Sequence, residues 1–173
     1  LGLVGFGAIA KAVALRARAF GMRIGAVSRQ PENIGKEEYG VSFTGTLDKL
    51  EEFLPQCDYV VLTLPNTPET ADCMNHERFA AMKDGAYLVN IARGQLIVDE
   101  ALYEALKSGK LAGAAIDVWR GNVRQPGTYP IAHPIHHFNV VMTPHHSGGV
   151  YESGRRGVGF AIENFRRLGT GEP

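Results

Sequence analysis

The chain has 173 residues, and its 18 Lys and Arg balance 18 Asp and Glu, so its formal net charge is +0. This length suffices for one α/β domain with a substantial core, and the balanced charge argues against a nucleic-acid or membrane partner. No apolar run approaches the ~20 residues that cross a bilayer. The cysteines, Cys57 and Cys73, lack metal-ligand spacing. We interpret both as reduced thiols of a cytoplasmic protein, with a disulfide between them as the less favoured alternative.

The chain opens with an apolar stretch, a glycine turn and a helical pattern. Residues 1–4 predict a buried strand, and the turn Gly5-x-Gly7-x-x-Ala10 follows it. A helix is predicted over residues 8–20, with Gly21 just past its end. Strand, glycine turn and helix in this order are typical of a dinucleotide-binding motif.

The residues of this turn fit the binding of a diphosphate. Gly5 permits the sharp turn, and Gly7 has no side chain to keep phosphates from the backbone. The N–H groups near Ala8 and Ile9 would face the phosphates, with the positive end of the helix dipole behind them. A turn that merely needs glycine is the alternative, since short motifs give false positives. The apolar strand before the turn favours the ligand.

The remaining chain alternates between strand and helix patterns. Strands are predicted over residues 23–28, 41–43, 59–64, 86–91, 111–118 and 140–143, and helices over 46–54 (with Thr46 as N-cap), 76–82, 99–107 and 149–168. Residues 31–39 suggest a loop with one helical turn, and residues 121–134 a loop without periodicity. The alternation predicts an α/β fold with a doubly wound parallel sheet. Ligands on such sheets lie beyond the carboxyl ends of the strands.

Four further motifs accompany the glycine turn. They are Leu64-Pro65-Asn66-Thr67-Pro68-Glu69-Thr70, Met82-Lys83-x-Gly85-Ala86-x-Leu88-Val89-Asn90-x-Ala92-Arg93-Gly94, Gly113-Ala114-x-x-Asp117-Val118 and Asn139-Val140-x-x-Thr143-Pro144-His145. Together, over essentially the whole chain, they resemble the cofactor domain of the D-isomer-specific 2-hydroxyacid dehydrogenases. The resemblance implies a Rossmann-type sheet within a two-domain, NAD- or NADP-dependent oxidoreductase.

The resemblance also implies a domain organisation. Residues 1–148 would form the dinucleotide-binding domain, and residues 149–173 a C-terminal helix returning toward a substrate domain whose main part is absent from this chain. The chain begins with Leu1, directly inside the first predicted strand, so we expect residues upstream of it. Relatives suggest a homodimer built through this domain.

Two residues are expected to carry the chemistry on a 2-oxo acid. Arg93 can grip a carboxylate bidentately, and the resemblance implies that it binds the substrate; a surface arginine is the alternative. His145 follows a predicted strand, and the resemblance implies that it is the general acid/base. His146 is its nearest rival. A metal cluster drawn from the nearby histidines is disfavoured, because their spacing fits no standard site.

Further cofactor contacts are implied by the resemblance. Asp117 would bond the nicotinamide carboxamide, Pro65, Thr70, Ile91 and Ala92 would line the cofactor path, and Ser147 and Gly148 would flank the nicotinamide.

At the end of the second predicted strand, the sequence differs from the usual pattern of an NAD-binding site. Asp or Glu usually stands there to accept from the adenosine ribose, whereas this chain has Val27, Ser28 and Arg29. Ser28 and Arg29 could bind a 2′-phosphate instead, which predicts a preference for NADP(H). The alternative is that they only end a strand.

A second departure concerns the catalytic histidine. In the family a Glu bonds it and favours its protonated form, but ungapped counting places Asn122 at that position. Gln125-Pro126 could replace the Glu through a longer loop, which resembles the formate-dehydrogenase branch. We therefore expect either weak reductase activity with an acid-shifted optimum or a substrate that needs no proton transfer.

Three functions remain open. The leading hypothesis is an oxidoreductase that acts on a small 2-oxo or 2-hydroxy acid such as glyoxylate or hydroxypyruvate. The alternatives are a non-catalytic, nucleotide-sensing module, as in corepressor relatives, and a formate-type dehydrogenase.

Overall fold

A single seven-stranded parallel sheet organises the protein. The computed structural model describes residues 1–121, 132–149 and 151–170, except for the side chains of 151–157, 161 and 168–169. In chain order the strands are β1 (Gly2–Val4), β2 (Ile24–Val27), β3 (Val41–Gly45), β4 (Tyr59–Leu62), β5 (Ala86–Asn90), β6 (Leu111–Ile116) and β7 (Val140–Met142). Their order across the sheet is β3-β2-β1-β4-β5-β6-β7. The predicted doubly wound, Rossmann-type fold is confirmed.

The described residues also form helices beside these strands. They are α1 (Ala8–Ala19), α2 (Lys36–Tyr39), α3 (Leu50–Phe53), α4 (His76–Ala81), α5 (Asp99–Lys107) and α6 (Tyr151–Thr170). Short 3₁₀ turns precede or follow several of them. Gly21 follows α1 with φ +72°, as expected for a glycine past a helix end.

The single helix predicted over residues 46–54 was wrong in detail. The segment consists of a 3₁₀ turn, Leu47–Lys49, then α3, then a second 3₁₀ turn, Leu54–Gln56. Thr46 stands at the N-cap position, but its side chain makes no capping bond because its hydroxyl bonds the carboxylate of Asp48. The capping expectation for Thr46 was therefore also wrong.

The core lies on both faces of the sheet. Successive residues of a strand point to opposite faces, so Leu3 and Val61 join one cluster while Val4 and Leu62 join the other. Each of these four side chains is buried. Coverage on both faces explains why the strands are continuous apolar runs.

Both cysteines are buried free thiols. The Cys57 Sγ–H donates to the carbonyl of Phe53, and the Cys73 Sγ–H donates to that of Leu96. Burial raises the pKa of each thiol to about 11, so both are protonated near neutral pH. The predicted reduced state is confirmed.

Helix α6 exposes apolar side chains. Val158, Phe160, Ile162 and Phe165 are 60–75% exposed. Glu163 pairs with Arg166 and Arg167 along the same helix. Within the described residues, no helix is long and apolar enough to span a membrane.

Candidate functional site

The carboxyl ends of all seven strands lie level along one edge of the sheet. The pairing register joins Gly45, Val27, Val4, Leu62, Asn90, Ile116 and Met142 in one row. Arg93 follows β5 by three residues, and His145 follows β7 by three. Only β6 separates these strands, and neighbouring strands lie about 4.8 Å apart, so the two strand ends are roughly 10 Å apart. The fold thus brings Arg93 and His145 to the same edge.

The glycine turn lies at the same edge, where the strand order reverses between β1 and β4. Gly5 has φ +97°, and a Cβ there would lie 2.9 Å from the backbone carbon of Thr63. By contrast, a Cβ on Gly7 would meet no atom within 4 Å. The turn therefore requires glycine at the first position, while the open space over the second suits a close ligand.

The start of α1 has the properties of an anion site. Gly7 stands at the N-cap position and has no side chain that could bond the first N–H groups of the helix. No acidic residue occupies the first turn. The N–H of Lys11 bonds the carbonyl of Gly7 at 3.0 Å, so the N–H groups of Ala8 and Ile9 precede the first intrahelical bond. Both residues are exposed. Free N–H groups at the positive end of a helix dipole fit the diphosphate of a dinucleotide.

Asn90 shapes the loop that carries Arg93. Its buried side-chain amide donates to the carbonyl of Arg93 at 3.0 Å, and its carbonyl oxygen accepts from the N–H of Ala92 at 3.1 Å. The Arg93 guanidinium donates to the carbonyl of Ala92 at 2.6 Å, and the residue is exposed. No role for Asn90 was predicted from the sequence. Its signal was an amide side chain that ends an apolar strand.

Asp117 organises the loop that carries His145. Its Oδ1 accepts from the Thr143 hydroxyl at 2.6 Å and from the His146 N–H at 2.9 Å. Its Oδ2 accepts from the Ser147 N–H at 3.0 Å. His145 itself has φ +59°, a left-handed conformation that histidine adopts more readily than most residues. The two N–H groups that follow it therefore converge on one carboxylate, as in an anion-binding nest.

These bonds decide the charge of Asp117. Its side chain is only 3% exposed, and burial alone would raise the pKa of the carboxyl. The hydrogen bonds from Ser147, Thr143 and the backbone of His146 outweigh burial and hold the pKa well below its usual range. Asp117 is therefore an anion at physiological pH.

Ser28 and Arg29 lie just past β2 at the same edge. The Ser28 hydroxyl accepts from the Gln30 N–H at 3.3 Å, and Arg29 is exposed. The Thr67 hydroxyl lowers the pKa of the Glu69 carboxyl, and the charge of Arg29 adds to this effect. Arg29 thus lies within electrostatic reach of Glu69.

The other predicted cofactor residues divide by burial. Pro65, Ser147 and Gly148 are exposed, Ile91 is partly buried and Ala92 is buried. Thr70 is buried, and its hydroxyl donates to the carbonyl of Pro65 at 2.7 Å and accepts from the Thr67 N–H at 2.8 Å. Thr70 therefore closes the loop after β4 and presents little of itself to a ligand.

Three other histidines of this region, His133, His136 and His137, precede β7, whereas His145 follows it. His133 stacks on Tyr103 of α5 with ring centroids 5.0 Å apart, and the rings of His136 and His137 are 4.2 Å apart. Across the described residues, no three His, Cys, Asp or Glu side chains are grouped to hold a metal ion.

The region of the missing glutamate falls outside the described residues, which stop at 121 and resume at 132. Asn122, Gln125 and Pro126 therefore have no structural account. Among the residues that are described, none forms a hydrogen bond with the His145 imidazole.

Comparison with known proteins places the chain in one protein family. The model of the D-isomer specific 2-hydroxyacid dehydrogenase NAD-binding domain matches residues 1–147. A glyoxylate reductase from Thermococcus kodakarensis is 43% identical over 151 residues, which make up 87% of this chain and 43% of that protein. Glyoxylate/hydroxypyruvate reductase A from Serratia proteamaculans is 40% identical over 146 residues, or 84% of this chain and 44% of that protein. The chain thus spans less than half the length of these curated relatives.

A solved structure shares the fold along the whole chain. It is a D-isomer specific 2-hydroxyacid dehydrogenase from Xanthobacter autotrophicus Py2 in complex with NADPH and MES, with a TM-score of 0.84 and 35% identity. The match covers 100% of this chain and 67% of that one. The protein therefore belongs to the D-isomer-specific 2-hydroxyacid dehydrogenase family, of which this chain carries the NAD-binding domain.

Proposed function

We propose that the protein reduces a small 2-oxo acid, of the glyoxylate or hydroxypyruvate kind, with NADPH as the preferred hydride donor. The observation that carries the proposal is the common edge of the sheet, where the glycine turn, Arg93 and His145 all lie. A cation and a titratable imidazole beside a dinucleotide site are what reduction of a 2-oxo acid requires.

Each residue has a distinct task in this proposal. The N–H groups at the start of α1 would bind the cofactor diphosphate, and the bound nicotinamide would supply the hydride. The exposed Arg93 guanidinium would pair with the substrate carboxylate and polarise the neighbouring carbonyl. His145 would deliver a proton to the carbonyl oxygen. Asp117 would hold the His145 loop and accept a hydrogen bond from the nicotinamide carboxamide.

Substrate reduction by the full-length protein is the direct test. We expect NADPH oxidation with glyoxylate or hydroxypyruvate, and loss of that activity in Arg93→Met. A full-length protein that binds NADPH but oxidises it with no 2-oxo acid would favour the nucleotide-sensing alternative. Formate-dependent reduction of the oxidised cofactor would favour the formate-type alternative. A pH–rate profile then examines the expected acid-shifted optimum.

The cofactor preference has its own test. Arg29 and Arg23 are both exposed and lie beyond opposite ends of β2. We expect Arg29→Gln to weaken NADPH binding about tenfold, with NADH binding little changed and Arg23→Gln as the matched control. Trp119 is the single tryptophan of this chain, so quenching of its emission can follow both titrations with the isolated chain. Tighter binding of NADH than of NADPH by the wild type would contradict this preference.

The wider organisation of the protein is part of the same proposal. The exposed apolar side chains of α6 support a role for residues 149–173 in reaching a substrate domain outside this chain. Residues 1–148 would be the dinucleotide-binding domain. A homodimer and a cytoplasmic location remain predictions.

A further inference from the structure

The dipeptide Trp119-Arg120 lies between the two loops of the candidate site. It leaves β6, which is flanked by β5 on one side and β7 on the other. The loop after β5 carries Arg93, and the loop after β7 carries His145. Each residue of the dipeptide bonds a different one of these loops.

Arg120 bonds the segment that follows Arg93. Its guanidinium donates to the carbonyl of Ile97 from Nε at 2.8 Å and from a terminal nitrogen at 2.6 Å. The same terminal nitrogen reaches the carbonyl of Gln95 at 3.3 Å and pairs with the carboxylate of Asp72. A planar guanidinium can serve several acceptors at once, which an ammonium cannot do in the same geometry.

The backbones of the two segments also touch. A Cβ on Gly94 would lie 2.1 Å from the carbonyl carbon of Trp119 and 2.5 Å from the nitrogen of Arg120. Gly94 directly follows Arg93. The position of Arg93 is therefore set against the backbone of the dipeptide as well as by the side chain of Arg120.

Trp119 bonds the segment that precedes His145. Its indole N–H donates to the carbonyl of Thr143 at 2.9 Å. The hydroxyl of Thr143 donates to the carboxylate of Asp117, which, like Trp119, follows β6. Thr143 is thus held at its carbonyl by the indole and at its hydroxyl by the carboxylate, two residues before His145.

We propose that Trp119 and Arg120 are positioning residues for the reaction: Arg120 sets the place of Arg93, and Trp119 sets that of His145. The proposal rests on the proposed function, because it assigns the two loops to carboxylate binding and proton transfer. Substrate binding and proton transfer are sensitive to small displacements of the groups that perform them. The two residues should therefore affect different kinetic constants.

Amide hydrogen exchange on the full-length protein tests the positioning directly. Arg120→Gln should speed exchange in the peptide 93–98 and leave 143–149 nearly unchanged, and Trp119→Phe should do the opposite. Lys110→Gln is the control, because it breaks an ion pair with Asp84 next to the amino end of β6. No change in either peptide, or a uniform increase that includes β1 and β2, would overturn the proposal.

Steady-state kinetics supply the second readout. Arg120→Gln should raise KM for the 2-oxo acid about fivefold, and Trp119→Phe should lower kcat about fivefold, as expected for the loss of one or two hydrogen bonds. Neither change should alter the NADPH dissociation constant. Arg120→Lys should recover only part of the loss. Equal effects of both variants on both constants would contradict separate roles.

The two readouts separate this proposal from the proposed function. A wild-type protein that reduces no 2-oxo acid would overturn the function, while the exchange pattern would still decide whether the dipeptide positions the two loops.

Discussion

Asp117 holds the segment around His145 through hydrogen bonds to its carboxylate. Its carboxylate accepts three hydrogen bonds from the segment around His145, two of them from backbone N–H groups. These bonds compensate the left-handed backbone of His145, which would otherwise be costly. The carboxylate of Asp117, just past the end of β6, therefore stabilises the left-handed backbone conformation of His145, the candidate acid/base.

Replacement of Asp117 by Asn should destabilise the protein in a pH-dependent way. The folded state lowers the pKa of this carboxyl, so its stabilising effect is present above the unfolded pKa of about 3.9 and is lost as the pH falls further. We expect a difference of about 1–3 kcal/mol in the free energy of unfolding at pH 7. Urea unfolding of both proteins between pH 2.5 and 7 measures it. The difference should shrink below about pH 4, and a constant difference would refute the role of the charge.

Exchange of His145 for Asn should separate chemistry from conformation. Asn tolerates the left-handed region, so the loop should keep its shape while proton transfer is lost. We expect kcat to fall about 10²- to 10⁴-fold, with the NADPH dissociation constant unchanged. His146→Asn is the matched control, because it keeps the backbone N–H that bonds Asp117. Loss of activity in that variant alone would show that the neighbouring histidine is the acid/base.

At the scale of elements, the candidate site is built from the segments that follow β5, β6 and β7, and hydrogen bonds join each of these segments to the next. The N–H of Asp117 bonds the carbonyl of Asn90, and the N–H of Thr143 bonds that of Ile116, each at 3.0 Å. The sheet ladder thus continues one residue past the regular strands.

The backbones that follow β5 and β6 are in close contact at Gly94, so one added methyl group there should destabilise the protein. Gly94→Ala would force a Cβ against the backbone of Trp119, which cannot move without disturbing β6. We expect a loss of about 1–3 kcal/mol of stability, measured by urea unfolding. Gly159→Ala in α6 is the control, because a Cβ there meets no atom within 4 Å. A Gly94→Ala protein as stable as this control would show that the loops can separate at little cost.

At the scale of the whole molecule, we expect cofactor binding to need this chain alone and substrate binding to need the rest of the protein as well. The glycine turn, β1 and α1 lie within the described residues, whereas the chain spans less than half the length of its curated relatives. We expect the isolated chain to bind NADPH but to reduce glyoxylate far more slowly than the full-length protein. Fluorescence titration and NADPH oxidation measure the two properties. Equal turnover by both forms would show that the described loops alone complete the substrate site.

The exposed face of α6 leads to a second prediction at this scale. Phe160 and Phe165 are 72% and 75% exposed, which is unusual for large apolar side chains on one helix. If they cover the substrate domain, amides of α6 should exchange more slowly in the full-length protein than in the isolated chain. Equal exchange in both forms would argue against that contact.

The sequence by itself determined the fold class, most strand positions and the residues that meet at one edge of the sheet. Apolar runs, glycine positions and family-like motifs are local, and parallel sheets place all carboxyl ends together. Only the tertiary structure revealed that Trp119 and Arg120 bond the two loops, because their partners, Thr143 and Ile97, lie more than 20 residues away and no spacing along the chain records such contacts. The division of residues 47–56 into a 3₁₀ turn, a four-residue helix and a second 3₁₀ turn was equally hidden.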